Sequence, residues 1–265
     1  MTTKPLHKIA KIRSTAVWLT LWLSGFSCAA ESPEGLLQQT GRAVELFWQQ
    51  MPSFACTESV TQQKISSKGK IEFKQDSVFD YLALTKEQND DLTIEELRLP
   101  LKPAPDKADK TPLLNTNGFP SLQLIFHPSN RADYTYKTEP ERTDDGKTLR
   151  IRFEHIPGRR STSALLLQER IYPLALQGEA WIDKETGAIQ KIAAGLVTPM
   201  KDINIKALNI EVSYKPEHTP SEPETRWLPS SVTVDVRTAL QHWRNVHSFS
   251  GCKRFTVQSM ETLSR

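Results

Sequence analysis

The chain has 265 residues, 38% hydrophobic and 25% charged, which is too much apolar sequence for a wholly disordered protein and enough for one real core. Its formal net charge of +3 belongs to the beginning of the chain: residues 1–30 hold Lys4, Lys8, Lys11 and Arg13 with no acid, leaving 30 Lys and Arg against 31 acids in the remainder. That balance argues against nucleic acid as a partner.

The first thirty residues read as an export signal. A basic stretch is followed by an apolar run from Ala16 through Trp18, Leu19, Leu21, Trp22 and Leu23 to Phe26, then by small residues at Cys28-Ala29-Ala30. The run is too short for a membrane-spanning helix, which needs about twenty residues to cross ~30 Å. The expected organisation is a signal peptide over 1–30 and a single β-rich domain over 31–265, exported, with no transmembrane span in the mature chain. Gly25-Phe26-Ser27-Cys28 keeps a second route open, in which Cys28 is lipidated. No Asn-x-Ser/Thr sequon occurs, which favours a bacterial envelope, the periplasm first.

Ser32-Pro33-Glu34 supplies an N-cap, a Pro at the first helical position and an acid in the first turn. Leu37, Thr40, Val44, Phe47 and Met51 follow at helical spacing, and Pro52 stops the helix. From Phe54 the period becomes two, predicting antiparallel strands over 54–60, 73–84 and 92–99. Lys102 to Pro112 then reads as an exposed loop. Phe119 to Pro128 is an apolar decapeptide predicted as a short helix, with a buried strand as the alternative.

Later strands alternate more cleanly. Leu149, Ile151 and Phe153 share one face, as do Leu208, Ile210, Val212 and Tyr214, and again Val232, Val234 and Val236. Ile203 and Ile205 are out of phase with Leu208, which predicts a β-bulge near Lys206-Ala207. Asp183-Lys184-Glu185-Thr186-Gly187 predicts a turn joining strands 176–182 and 188–197, with Gly187 at positive φ. Lys215 to Pro229, with four prolines, reads as a second exposed loop.

Export would leave Cys56 and Cys252, and an even pair in an oxidising compartment reads as a disulfide, two buried thiols being the alternative. A bridge requires the first strand after the helix and the last strand to be neighbours, or to face one another across a strongly curved sheet.

Little in the chain speaks for catalysis. His127, His155, His218, His242 and His247 are scattered and read as solvent-facing or partly buried, and the spacing of five between His242 and His247 puts them on opposite faces of a strand, so no metal site is expected. Ser248-Phe249-Ser250-Gly251 lacks the first glycine of a nucleophile elbow. Asp90-Asp91, Glu95-Glu96 and Asp144-Asp145 read as solvated acids, since adjacent residues on a strand face opposite ways. No phosphate-cradling or calcium-loop motif is present, and no cofactor is expected. Arg150, Arg152, Arg159 and Arg160 read as a sheet surface making cross-strand pairs with nearby glutamates.

The run Gly178-Glu179-Ala180-Trp181-Ile182-Asp183-Lys184-Glu185-Thr186-Gly187 with its apolar second strand resembles the hairpin of envelope proteins with the LolA-type lipoprotein-carrier fold, a superfamily that includes RseB-type sensors. The resemblance implies an α+β, mainly antiparallel fold: a strongly curved sheet or unclosed β-barrel, with an N-terminal helix and one short helix packed in or over its concave face. It implies a non-enzymatic binding protein holding an acyl chain or other apolar ligand, lipid or acylated protein. The resemblance assigns no functional residue; the apolar run itself offers Phe119, Leu122, Ile125 and Phe126 as part of a lid or plug in contact with ligand, with plain core filling as the alternative. The alternative is an interaction or sensor protein with a filled core that binds another envelope protein through loops or edge strands.

Overall fold

A computed structural model describes residues 33–50, 53–88, 91–102, 115–139, 146–167, 169–217 and 226–254. The expected export signal, Cys28, the Ser32 cap, the helix stop at Met51-Pro52 and most of the 102–112 loop lie outside them.

Helix α1 (Pro33–Gln50) buries Leu36, Leu37, Thr40, Val44 and Trp48, a stripe at the spacing of one helical face. Twelve strands follow: β1 (Phe54–Ile65), β2 (Ile71–Gln88), β3 (Asp91–Pro100), β4 (Tyr134–Glu139), β5 (Thr148–His155), β6 (Ala164–Leu167), β7 (Arg170–Pro173), β8 (Leu176–Asp183), β9 (Ile189–Leu196), β10 (Ile205–Glu217), β11 (Arg226–Thr238) and β12 (His242–Arg254). Ten of them form one antiparallel sheet in the order β3-β2-β1-β12-β11-β10-β9-β8-β5-β4, and β6-β7 make a separate two-stranded ribbon.

The sheet has two edges, β3 and β4, so it is unclosed. It is also strongly curved, because both edges reach the same piece of chain. Between β3 and β4 the chain forms two short 3-10 helices, Pro120–Phe126 and Pro128–Asp133. Gly118, just before the first, donates its N–H to Glu96 of β3. Ile125, near its end, accepts a hydrogen bond from the Tyr136 hydroxyl of β4. The Tyr214 hydroxyl of β10, from mid-sheet, donates to the Phe119 carbonyl at 3.3 Å. The ten strands therefore wrap around residues 119–126, and α1 packs on the same segment from its other side, with Gly41 against the Phe126 carbonyl and Pro128. The expected short helix is present, as a 3-10 helix; Pro120 and Pro128 bracket a run too short for stable α-turns.

Chain ends meet in mid-sheet, where β1 and β12 pair over most of their length. Cys56 and Cys252 are disulfide-bonded there, with Cα atoms 4.1 Å apart. At that point Cys56 opposes both Gly251 and Cys252, a bulge for which Gly251 supplies a φ of +60°. A second bulge lies between Ile205 and Ala207, as the phase change requires.

The β8-β9 turn is built as expected. Asp183 Oδ1 accepts from the N–H groups of Glu185 and Thr186 and from the Thr186 hydroxyl, and Gly187 has φ +72°. Helix α1 lies on it: Gln39 donates to the Glu185 carbonyl, and a Cβ at Gly187 would come within 2.8 Å of Gln39. One loop expectation needs correction. Residues 215–217 and 226–229 are strand, with Lys215 paired to Leu228 and Tyr214 to Pro229, because a bulge at Ser213/Tyr214 admits Pro229 without breaking the ladder.

Candidate functional site

The concave side of the sheet has two chemically different ends. Towards β4, β5, β8, β9 and β10 it is apolar, and the expected ligand residues belong to it. Phe119, Leu122, Ile125 and Phe126 are all buried, Ile125 completely. Phe126 packs 5.6 Å from Tyr136 and 5.7 Å from Phe153, centroid to centroid. The four side chains thus come together on one segment, as filling of the sheet's interior.

Towards β1, β2, β3 and β12 the same concave side is polar. Glu58 on β1 is fully buried and is held by three donors. Arg98 Nε and Nη2 reach its two oxygens at 2.6 and 3.0 Å, and His247 Nδ1 lies 2.7 Å from Oε1. Thr116 Oγ1 lies 2.7 Å from His247 Nε2 and accepts from Asn245 Nδ2 at 3.2 Å. Glu96, its side chain only 2% exposed, takes the Gly118 N–H at 2.7 Å and lies 3.6 Å from Arg98 Nη2. Arg98 also donates to Asn117 Oδ1 and stands 5.2 Å above the Tyr81 ring. His247 is flanked by the rings of Phe119, 4.7 Å away, and Phe249.

These side chains border a pocket of about 320 Å³ lined by Val60, Gln62, Phe79, Glu96, Arg98, Asn115, Thr116, Asn117, Asn245 and His247. The two carboxylates of the cluster, of which Glu96 lines the pocket, are driven apart. For Glu58 burial acts upward, but hydrogen bonds and charge from His247 and Arg98 together outweigh it and hold the carboxyl below its ordinary value. For Glu96 burial is again the largest influence, and here it prevails over Arg98 and the Gly118 N–H, so the carboxyl is raised. Burial likewise pushes the Tyr81 hydroxyl, which faces Glu96, far above the usual phenol range.

Thr116, His247 and Glu58 form a hydroxyl-imidazole-carboxylate chain, the arrangement that activates a nucleophile in acyl transfer. Here Glu58 is shared between His247 and Arg98, and Asn245 donates to the Thr116 hydroxyl oxygen. These contacts fasten loop 115–118 to β1, β3 and β12. Among the described residues no group of three or more His, Cys, Asp or Glu could hold a metal ion.

Two sequence expectations fall here. Glu96 is not a solvated edge acid, and His247 is not a surface or half-buried histidine. The signal that could have found Glu96 is the phase of β3: Ile94, Glu96 and Arg98 share a face, so an apolar residue shares its side with two charges. His242 lies on the opposite face from His247, beside Asp235 and Arg244, as the spacing requires. Arg150 and Arg152 pair across strands with Glu179, as expected.

No protein-family model and no curated protein matches the chain. Among solved structures it is similar to a Vibrio parahaemolyticus chain described provisionally as an outer membrane lipoprotein-sorting protein domain, with 11% identity, a TM-score of 0.46, and 85% of this chain and 94% of that chain covered. No described helix is long and apolar enough to cross a membrane.

Proposed function

We propose that the chain is an exported, non-enzymatic envelope protein that binds an acyl chain in the concave interior of its sheet. The observation that supports this reading is the nature of what fills that interior. Residues 119–126 belong to no strand; beyond their own 3-10 turns and the Asn130 amide on Leu124, their backbone is tied to the sheet by two side-chain hydroxyls, Tyr214 on Phe119 and Tyr136 on Ile125. A segment held this way can withdraw without breaking a β-ladder, and the surface it uncovers is apolar: Ile151, Phe153, Ile192, Val212 and their neighbours. The disulfide supports an oxidising compartment, the periplasm in our reading. Native mass spectrometry of protein purified from its own envelope should show a co-purifying lipid mass. An empty protein that also takes up no fluorescent fatty acid would overturn the reading.

A second reading is favoured by a separate observation. Leu97, Leu99 and Leu101 are exposed along and just beyond edge strand β3, and Leu166 and Ile171 are 68% and 72% exposed on the β6-β7 ribbon. Apolar side chains on an unpaired edge suit contact with another envelope protein. Photo-crosslinkers at Leu99 and Ile171 should then trap one dominant partner in the native envelope, and recovery of monomer alone would remove this reading.

A further inference from the structure

The polar pocket and the apolar interior share one wall. Asn115, Thr116 and Asn117 line the pocket, and the chain passes directly into Phe119, whose ring touches His247 on one side and joins the apolar core on the other. A ligand with a tail in the interior would place its other end here. At about 320 Å³ the pocket is at the small end of the ligand-site range of about 300–1,000 Å³, and its lining holds the amides of Gln62, Asn115, Asn117 and Asn245 and the hydroxyl of Thr116.

Its charges are spoken for. The Arg98 guanidinium is committed to Glu58, Glu96 and Asn117, so an incoming phosphate or carboxylate would meet the Glu96 carboxyl on the wall and, among the described lining residues, no uncommitted cation. A cation fares no better, since Glu96 Oε1 holds the Gly118 N–H and Oε2 is sealed from solvent. The groups that remain are neutral. The side chain of Asn115 and Nδ2 of Asn117 have no hydrogen-bond partner among the described residues, Thr116 has a hydroxyl on the wall, and Phe79 and Val60 give an apolar floor.

We propose that this pocket seats an uncharged, hydroxyl-bearing headgroup, a sugar or glycerol unit, of an amphiphile whose acyl chain occupies the interior; the proposal rests on the acyl-binding reading above. Hydroxyls both donate and accept, matching amide side chains, while the C–H face of a sugar or glycerol unit packs on Phe79.

Calorimetric titration of the mature protein with ligands of one chain length, each below its micelle concentration, tests this. Decyl glucoside should bind roughly tenfold or more tightly than decanoate or decyltrimethylammonium. The double variant Asn115→Ala/Asn117→Ala, at two exposed positions, should lose about that tenfold for decyl glucoside and, since it frees one Arg98 donor, should not weaken decanoate. Equal affinities, tighter binding of a charged ligand, or an indifferent double variant would overturn the headgroup proposal while the acyl reading stands. Binding of methyl glucoside as tight as decyl glucoside, with none of decanoate, would mean a free sugar and overturn the acyl reading. Failure of every ligand would overturn both.

Discussion

One concave surface is built in two ways. Around Ile125 and Phe126 it is made of aliphatic and aromatic side chains whose stabilisation grows with the area they bury. Around Glu58 and Arg98 it is made of charges whose desolvation is offset only because each has a partner. The first kind tolerates substitution by size, and the second tolerates almost none, since removing one partner strands another. Under the proposed acyl-binding function the apolar end would exchange a protein segment for a ligand of similar character, while the polar end holds the entering chain at 115–118 in place.

The division can be broken at several points. Reducing Cys56-Cys252 is expected to have the largest effect, up to about 5 kcal/mol in the chain-entropy model for a separation of 196 residues. It should lower the melting temperature without abolishing the fold, because β1 and β12 remain paired by their ladder. Thiol titration of the unfolded, unreduced mature protein should first find no free thiol from these two residues.

Glu58→Gln should cost about 3–5 kcal/mol, since it leaves Arg98 without its charge partner. The loss should depend on pH. A carboxyl whose folded value lies below its unfolded value of about 4.5 stabilises the fold above that value and ceases to do so as pH falls through the folded one. The gap between wild type and variant should therefore begin to close in urea melts as pH falls below about 4.5, and close fully only below the folded value.

Ile125→Ala, in the apolar end, should cost about 2–5 kcal/mol through lost burial and the cavity left behind. Its deficit should be the same at pH 4 and pH 7 in the same melts, a flat profile that separates the two ends. Glu96→Gln should have a smaller effect of the opposite sign. A carboxyl raised above its unfolded value favours the fold only at low pH and loses that contribution as pH rises through the folded value. The variant should therefore gain stability at pH 7 relative to wild type, and no longer gain it below about pH 4.5.

The smallest expected effect is none: p-nitrophenyl acyl esters should turn over no faster with wild type than with Thr116→Val. A rate that depends on Thr116 would show that the Thr116-His247-Glu58 chain is catalytic and would overturn the non-enzymatic reading.

The apolar end was legible from the sequence because its side chains obey the period of their elements. Ile151 and Phe153, Leu208 and Val212, Val232 and Val236 alternate and are buried, and the Asp183 to Gly187 turn follows from local backbone chemistry alone. The polar end reverses the rule. On β3 the leucines at 97 and 99 face solvent while Glu96 and Arg98 face inward, so hydropathy points the strand the wrong way. Glu58, Glu96, Arg98, Thr116 and His247 are also spread over 190 residues, and only the pairing of β1 with β2 and β12, together with the return of loop 115–118, brings them to one place. Nothing local marks such a set.

The meeting of β1 with β12 in mid-sheet also sets an order in time. β1, β2 and β3 form an antiparallel meander that can assemble from neighbouring sequence, but the remaining edge of β1 waits for a strand far along the chain, the two bridged cysteines being 196 residues apart. Topologies dominated by such distant contacts fold slowly and expose unsatisfied edges meanwhile. Until β12 arrives the half-made sheet keeps that edge open, and a chaperone that shields an open β-edge would shorten its most vulnerable interval more than one that shields the helix.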